Sequence, residues 1–288
     1  MGRRIFVLTV ACSMLVGCGS SKKDDQKKPE LPPSPKVERS DKAENKLREQ
    51  IAAVLAAANE EQFYKRVGEL FERARELGWS RGQFVGAVID YSTQISGGEE
   101  LGRYNRMLTN LDIPRPDIVA AAAGTLDTAQ GTAADAGRNL LRYAAPPDPR
   151  GRKDFSHFKP YLEAHASPPP AKLVLWMYGY DPAAAMWQMR EVYGANMSAE
   201  DFRALSAGEH VVSEILFRQQ AGLVAPGELD QPAVDQLARL AQYRQWWVRL
   251  YVANVLLKNP QFHKPQVLDL LKNDADDLVK ETVTRIGK

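Results

Sequence analysis

The sequence predicts an all-α fold. Three observations carry that reading. From about residue 41 onward, apolar residues recur at spacings of three and four, the period of an amphipathic helix. No segment alternates apolar and polar residues between turn signals, as strands of a hairpin would. Helix start and stop residues punctuate the chain at intervals suited to short helices. The chain has 288 residues, enough to bury a sizeable core.

Met1-Gly2-Arg3-Arg4 is a basic start, followed by an apolar run from Ile5 to Val16. That run is too short to span a bilayer as a helix. It closes on Leu15-Val16-Gly17-Cys18. Gly17 is small enough to let a peptidase approach the bond before Cys18, whose thiol is a soft nucleophile for a lipid. Cys12 fits less well, because Thr9 stands where a leucine would be expected and almost no apolar core would precede the cut.

These residues resemble a bacterial lipoprotein signal peptide with its lipobox. The resemblance implies cleavage between Gly17 and Cys18, acylation of Cys18 by chains such as palmitate, and a durable membrane anchor, since two or more chains hold where one does not. It places the protein in the cell envelope. Gly19, rather than Asp, follows the cysteine, which favours the outer membrane facing the periplasm in a diderm cell. With Cys12 in the signal and Cys18 at the anchor, the folded part has no thiol left for a disulfide or a thiolate metal site.

The division that follows is residues 1–17 as signal, 18–40 as lipidated cysteine and tether, 41–145 as an N-terminal helical region, 146–153 as a loop, and 154–288 as a C-terminal region. The tether is polar and proline-bearing (Pro29, Pro32, Pro33, Pro35) and cannot bury enough surface to fold. Lysines 22, 23, 27 and 28 are diluted by Asp24 and Asp25 as a headgroup-binding patch. The chain carries 38 Lys+Arg and 36 Asp+Glu; removing Arg3 and Arg4 with the signal leaves 36 of each sign. That balance argues against a nucleic-acid partner.

In the N-terminal region, Leu47, Ile51, Val54 and Leu55 share one helix face, with Ser40 as N-cap. Phe63, Val67, Leu70, Phe71 and Ala74 line the next, with Gly78 as its C′ residue. Ser80 and Gln83 form a capping-box pair opening a third helix through Phe84, Val88, Ile89 and Ile95. Leu101, Tyr104, Leu108 and Leu111 mark a fourth, stopped by Pro114. Residues 117–145 are alanine-rich and read as two close-packed helices broken near Gly131. The proline-rich 146–153 segment is the expected boundary between halves.

In the C-terminal region, Phe155, Phe158 and Leu162 lead to a triple proline (168–170) and a helix with Leu173, Val174, Trp176 and Met177. Asp181-Pro182 is an N-cap followed by proline at the first helical position, opening a helix with Met186, Met189 and Val192 that ends at Gly194. Ser198 caps a helix with Phe202, Leu205, Val212 and Leu216, ending at Gly222. Asp230 with Pro232 opens another. Val248-Arg249 recurs as Val279-Lys280 thirty-one residues later, and the offset also aligns Val252 with Val283 and Val255 with Ile286. Asp274-Ala275-Asp276-Asp277 precedes the second copy. This pattern resembles HEAT repeats, which place an aspartate turn before a Val-Arg or Val-Lys helix. The resemblance covers about residues 240–288, and 155–222 more loosely. It implies helical hairpins stacked as an α-solenoid, at least in the C-terminal half, sharing a core that no single hairpin can build.

The inventory of chemistry is thin. There is no phosphate loop, HExxH, nucleophile elbow or EF-hand loop. His157, His165, His210 and His263 show no ligand spacing, and Pro160 interrupts the interval between the first two. Asp274, Asp276 and Asp277 read as caps rather than cation ligands. Glu60-Glu61 and Glu99-Glu100 read as helix-start acids. No catalytic residue, metal or cofactor is expected.

Aromatics are the remaining candidates. Trp246 and Trp247 are adjacent and cannot both face one core, so one of them belongs near a surface; with Arg249 and Lys280 they form the candidate partner-binding set. The same cations could instead pair with the turn aspartates. The expectation is a non-enzymatic, lipid-anchored scaffold or adaptor that binds an envelope protein. The alternative is a periplasmic small-molecule or glycan-binding domain, possibly enzymatic, with Trp176, Trp187 and the nearby tyrosines lining a pocket. A structural lipoprotein without a discrete ligand is the third reading.

Overall fold

The computed structural model describes residues 45–50, 60–92, 111–128, 132–149, 151–225 and 227–286. All regular structure among them is helical; the one β-type pairing among them is an isolated bridge between Pro147 and Lys153. The all-α reading therefore holds for the described residues. The signal, Gly17, Cys18 and the tether lie outside them, as do Ile51, Val54, Leu55, Ile95 and the Leu101–Leu108 stretch.

Residues 45–50 are helical and bury Leu47. Helix α1 (Glu60–Glu76) buries Val67, Leu70, Phe71 and Ala74 on one face. It ends in a Schellman motif: the Trp79 amide donates to the Ala74 carbonyl at 2.9 Å and the Gly78 amide to Arg75 at 2.9 Å. Gly78 takes φ +75°, a backbone region that side-chain-bearing residues avoid. Trp79 then folds back into the core. The capping box opens α2 (Arg81–Ser92): Gln83 N–H donates to Ser80 Oγ at 3.2 Å, and Ser80 N–H to Gln83 Oε1 at 2.9 Å. Phe84 meets Phe71 edge-on, ring centroids 5.1 Å apart, and joins α2 to α1.

Helices α3 (Arg115–Thr128) and α4 (Thr132–Ala144) form a close antiparallel-type pair. Their contact is made of small residues. A Cβ on Gly137 would stand 3.3 Å from the Ala122 carbonyl oxygen, so the helices already touch at backbone distance. Alanine here is a packing device as well as a helix former.

The 146–153 segment is a stitched hairpin rather than an open linker. Asp148 N–H donates to Arg152 O at 2.7 Å, Asp154 N–H to Pro146 O at 2.8 Å, and Gly151 turns the chain at φ +79°. One hydrophobic core runs past it: buried residues on both sides belong to one cluster, and residues Arg39–Lys288 form one compact unit. Phe158, in the 3₁₀ turn Ser156–Phe158, stacks on Trp176 at 6.0 Å, and α3 packs against that turn.

Six helices follow α5 (Lys159–Ala164) and α6 (Ala171–Tyr180). They are α7 (Pro182–Tyr193), α8 (Ala199–Gln220), α9 (Asp230–Leu240), α10 (Trp246–Lys258), α11 (Pro265–Lys272) and α12 (Asp277–Val283). Asp181 caps α7 by accepting from Ala184 N–H at 3.0 Å, and Ser198 caps α8 by accepting from Asp201 N–H at 3.0 Å. Asp230 proves to be the first residue of α9 and accepts from Gln219 Nε2 at 2.8 Å instead of capping. Helix α10 is central. Nine of its residues are buried, around the whole circumference, as expected for a helix enclosed by neighbours. It packs against α6, α7, α9 and α12.

Candidate functional site

The four residues expected at a partner surface do not act together. Trp247 is 1% exposed, and its carbonyl accepts from the buried Tyr178 hydroxyl at 2.7 Å. Its assignment to a binding surface is corrected accordingly: adjacent residues on a helix diverge by about 100°, and Trp247 takes the inward direction. Trp246 is half-buried and meets Tyr193 edge-on at 5.6 Å. Arg249 is spent on a structural pair. Its Nε and NH2 grip the two oxygens of Asp274 at 2.5 and 2.8 Å, and its NH1 donates to Tyr243 O at 2.7 Å. Lys280 is partly exposed and pairs with Asp277 at 2.7 Å. Trp246 and Lys280 thus keep surface, while Trp247 and Arg249 hold the fold.

The turn aspartates act on the chain itself. Asp276 caps α12 by accepting from Leu278 and Val279 N–H at 3.0 and 3.4 Å. Burial would raise the Asp274 carboxyl, but hydrogen bonds from Arg249 and the Asp276 amide, with the Arg249 and Lys280 charges, outweigh it and hold it below its ordinary range. Among the described residues no group of three or more His, Cys, Asp or Glu is placed to hold a metal. His165 Nδ1 lies 2.9 Å from Tyr161 O, His263 Nε2 lies 2.8 Å from Leu256 O, and His157 lies beside Arg115.

A concavity lies elsewhere. A groove of about 400 Å³ opens between the 151–152 turn, the start of α7, the C-terminal half of α8 and one side of α10. That size lies in the range of small-molecule sites. Local sequence rules place each wall. Asp181 takes its position because one oxygen caps α7 while the other accepts from Lys153 N–H at 3.0 Å, docking the hairpin. The hairpin in turn presents Arg152. Helix α8 presents Ser213 and Glu214 at its rim, with the aromatic face of Phe217 (60% exposed) at the mouth.

Behind this rim lies Glu209, one of four polar or charged residues buried in the described structure. It accepts from Trp187 Nε1 at 3.3 Å and from Ser213 Oγ, and its Oε1 lies 3.5 Å from Arg152 NH2. Three partners satisfy a carboxylate that would otherwise be costly to bury. Tyr251 forms the floor. It is 1% exposed, and its hydroxyl lies beside Ser213, out of reach of solvent. Burial pushes that hydroxyl's pKa far up, the Glu209 and Asp181 charges add to this, and a hydrogen bond with Ser213 and the Arg152 charge oppose it. The group is a neutral O–H donor at any ordinary pH. Lys258 is held below its usual value by burial, with Asp181 pulling the other way.

Glu209 and Tyr251 escaped the sequence reading. A signal existed for Glu209: it stands four residues after Leu205 and three before Val212, on the apolar face of α8. A charge at such a position demands partners. For Tyr251 no signal existed, since its place beside Ser213 and Glu209 is a fact of packing. Of the aromatic set in the alternative reading, Trp187 backs the groove through Glu209, while Trp176 lies in a separate stack with Phe158 and Tyr180.

No protein-family model, curated protein or solved structure matches the chain. No helix among the described residues is long and apolar enough to cross a membrane.

Proposed function

We propose that this chain is a lipid-anchored protein of the cell envelope whose helical domain binds a small ligand in the groove between α7, α8 and α10. One observation carries the binding reading: a groove of about 400 Å³ joins the apolar Pro182, Ala183, Leu216 and exposed Phe217 to the polar Arg152, Ser213 and Gln220. Clefts of that size that combine apolar side chains with a few polar groups are the usual form of a small-molecule site. The anchor rests on the basic start, apolar run and Leu15-Val16-Gly17-Cys18. Outer-membrane attachment facing the periplasm, through acylated Cys18, follows from Gly19 in a diderm cell.

Two experiments test this. A small-molecule extract of the source cells raises the melting temperature of the full-length protein, because a ligand that binds only the native state stabilises it. Ala183→Trp, which fills the groove wall, abolishes that shift. No shift, or an equal shift in the variant, overturns the binding reading. For the anchor, Cys18→Ala leaves an unanchored or uncleaved precursor; unchanged mature mass and membrane fractionation overturn it.

A second reading, the non-enzymatic protein adaptor, has its own support. Phe217 and Leu223 stand 60% and 68% exposed near the end of α8. The HEAT-like arrangement belongs to this reading: Arg249 in α10 reaches the aspartate turn before α12, where Lys280 is its counterpart, and the aligned Val248 and Val279 are both buried. Photo-crosslinkers placed at 217 and at 246 trap one envelope protein in stoichiometric yield if this is correct. A protein recovered alone at both positions removes it.

A further inference from the structure

We infer that the turn between α8 and α9 is a membrane-contact tip, which docks the domain on the lipid surface that holds its anchor; the inference rests on the Cys18 anchor reading. Helix α8 ends in the same Schellman geometry as α1. The Leu223 amide donates to the Arg218 carbonyl at 2.9 Å and the Gly222 amide to Gln219 at 3.1 Å, and Gly222 takes φ +67°. The motif commonly sets the residue after its glycine against an apolar residue in the last turn of the helix. After α1 that residue is Trp79, 6% exposed; after α8 it is Leu223, 68% exposed. Its counterpart in the last turn of α8 is Phe217, also exposed. The apolar pair that the motif brings together thus stands in water.

The make-up of the turn suits a lipid surface. No charged residue lies between Arg218 and Glu228 in the sequence. Ala221 and Ala225 are exposed on either side of Leu223. The amides of Ala221, Gly222, Leu223 and Ala225 all donate within the turn, so entry into a headgroup layer strands few polar groups. Size decides between a bilayer and a protein partner. The exposed parts of Phe217 and Leu223 amount to about 200 Å², against about 600 Å² per partner at the small end of specific protein interfaces. Such a patch does not hold a protein from solution. It suffices for a surface to which the chain is already tied, because a short tether keeps the effective concentration on the order of millimolar. The chain between Cys18 and Asn45 extends at most ~90 Å, more than the width of a domain of this size. The anchor alone therefore leaves open which face turns to the bilayer, and the tip makes that choice.

The test uses the full acylated chain in vesicles of phosphatidylethanolamine and phosphatidylglycerol that include a lipid with a nitroxide on its acyl chain. Cys12 leaves with the signal and Cys18 carries the acyl chains, so one added cysteine takes a bimane label uniquely. Ala221→Cys puts the label on the tip. Gln242→Cys puts it in a cup shared with Asp201 near the start of α8, about 30 Å away along that helix. Emission from position 221 is expected to shift to the blue and to be quenched by the nitroxide, while that from 242 does neither. Combining Phe217→Ser with Leu223→Ser is expected to abolish the difference without lowering the melting temperature, because both side chains already stand in water. Equal shift and quenching at the two positions overturn the inference, as does a difference that survives the double variant. So does a protein trapped stoichiometrically at position 217 in cells. Flotation with the vesicles and the mature mass report on the anchor separately. A chain that floats but shows no difference between 221 and 242 keeps its anchor and loses the tip. A chain without acyl mass that does not float loses both.

Discussion

Arg249 and Asp274 show how one residue pair decides between surface and structure. A guanidinium on a helix beside two tryptophans looks like a binding edge. The fold instead offers it a carboxylate with both oxygens in fork geometry, and the side chains end 14% and 4% exposed. A bidentate pair at that depth is worth more than an exposed one. Removing one partner leaves the other buried and uncompensated, so Asp274→Ala and Arg249→Ala are each expected to lower stability by about 2–3 kcal/mol. The double variant is expected to cost less than the sum. Denaturant titration checks both. The pH dependence follows from the direction of the Asp274 shift. Its folded carboxyl titrates below the ordinary value, so the pair's stabilisation is present above about pH 4 and is lost as pH falls through the lower folded value. Asp274→Asn is expected to flatten the acid limb of the stability profile below about pH 4. An unchanged acid limb would mean that other carboxylates govern it.

Elements were legible where the chain states its own boundaries. The Ala74–Trp79 turn is the clearest instance: Gly78 ends α1 and Ser80 with Gln83 begins α2, within six residues, and both devices form with the expected donors. Gly78→Ala forces a β-carbon into φ +75° and is expected to cost about 1–2 kcal/mol; Ser80→Ala, which removes one capping bond, is expected to cost about 1 kcal/mol. No loss, or a gain, for Gly78→Ala in thermal melts would mean that the positive φ carries no strain. Packing between elements was much less legible. Helix α10 reads as an apolar run with Arg249 inside it, and nothing in its period tells which flank Trp247 takes once α6, α7, α9 and α12 enclose it. The same limit hid the groove. Asp181 was readable as a cap, but its second bond, to Lys153 across 28 residues, depends on where the hairpin docks. A site whose walls come from four separate segments leaves no local spacing to find.

At the scale of the whole molecule, the question is whether the proline-rich 146–153 segment separates two bodies. Composition says boundary: three prolines, glycine and charge over a few residues usually mark a linker. Packing says otherwise. The segment closes on itself through four backbone and side-chain bonds (Asp148–Arg152 twice, Gly151–Asp148 and Asp154–Pro146) and is pinned to the cap of α7. Phe158 follows it immediately, fully buried, packed between Phe155 and Trp176 on one side of the loop in sequence and against α3 on the other. Residues before and after the loop therefore lose water together and are expected to unfold together. Phe158→Ala opens a cavity at this junction and is expected to cost about 3–5 kcal/mol. If the core is shared, calorimetry of the variant shows one transition at a lower temperature, and amides of α3 and α6 lose exchange protection in parallel. If the loop were a boundary, the C-terminal half would melt early while α3 and α4 kept their protection, giving two transitions. Glu209 and Tyr251 would then be lost with the early phase, and the groove with them, so the same experiment also says how much of the chain the binding site needs.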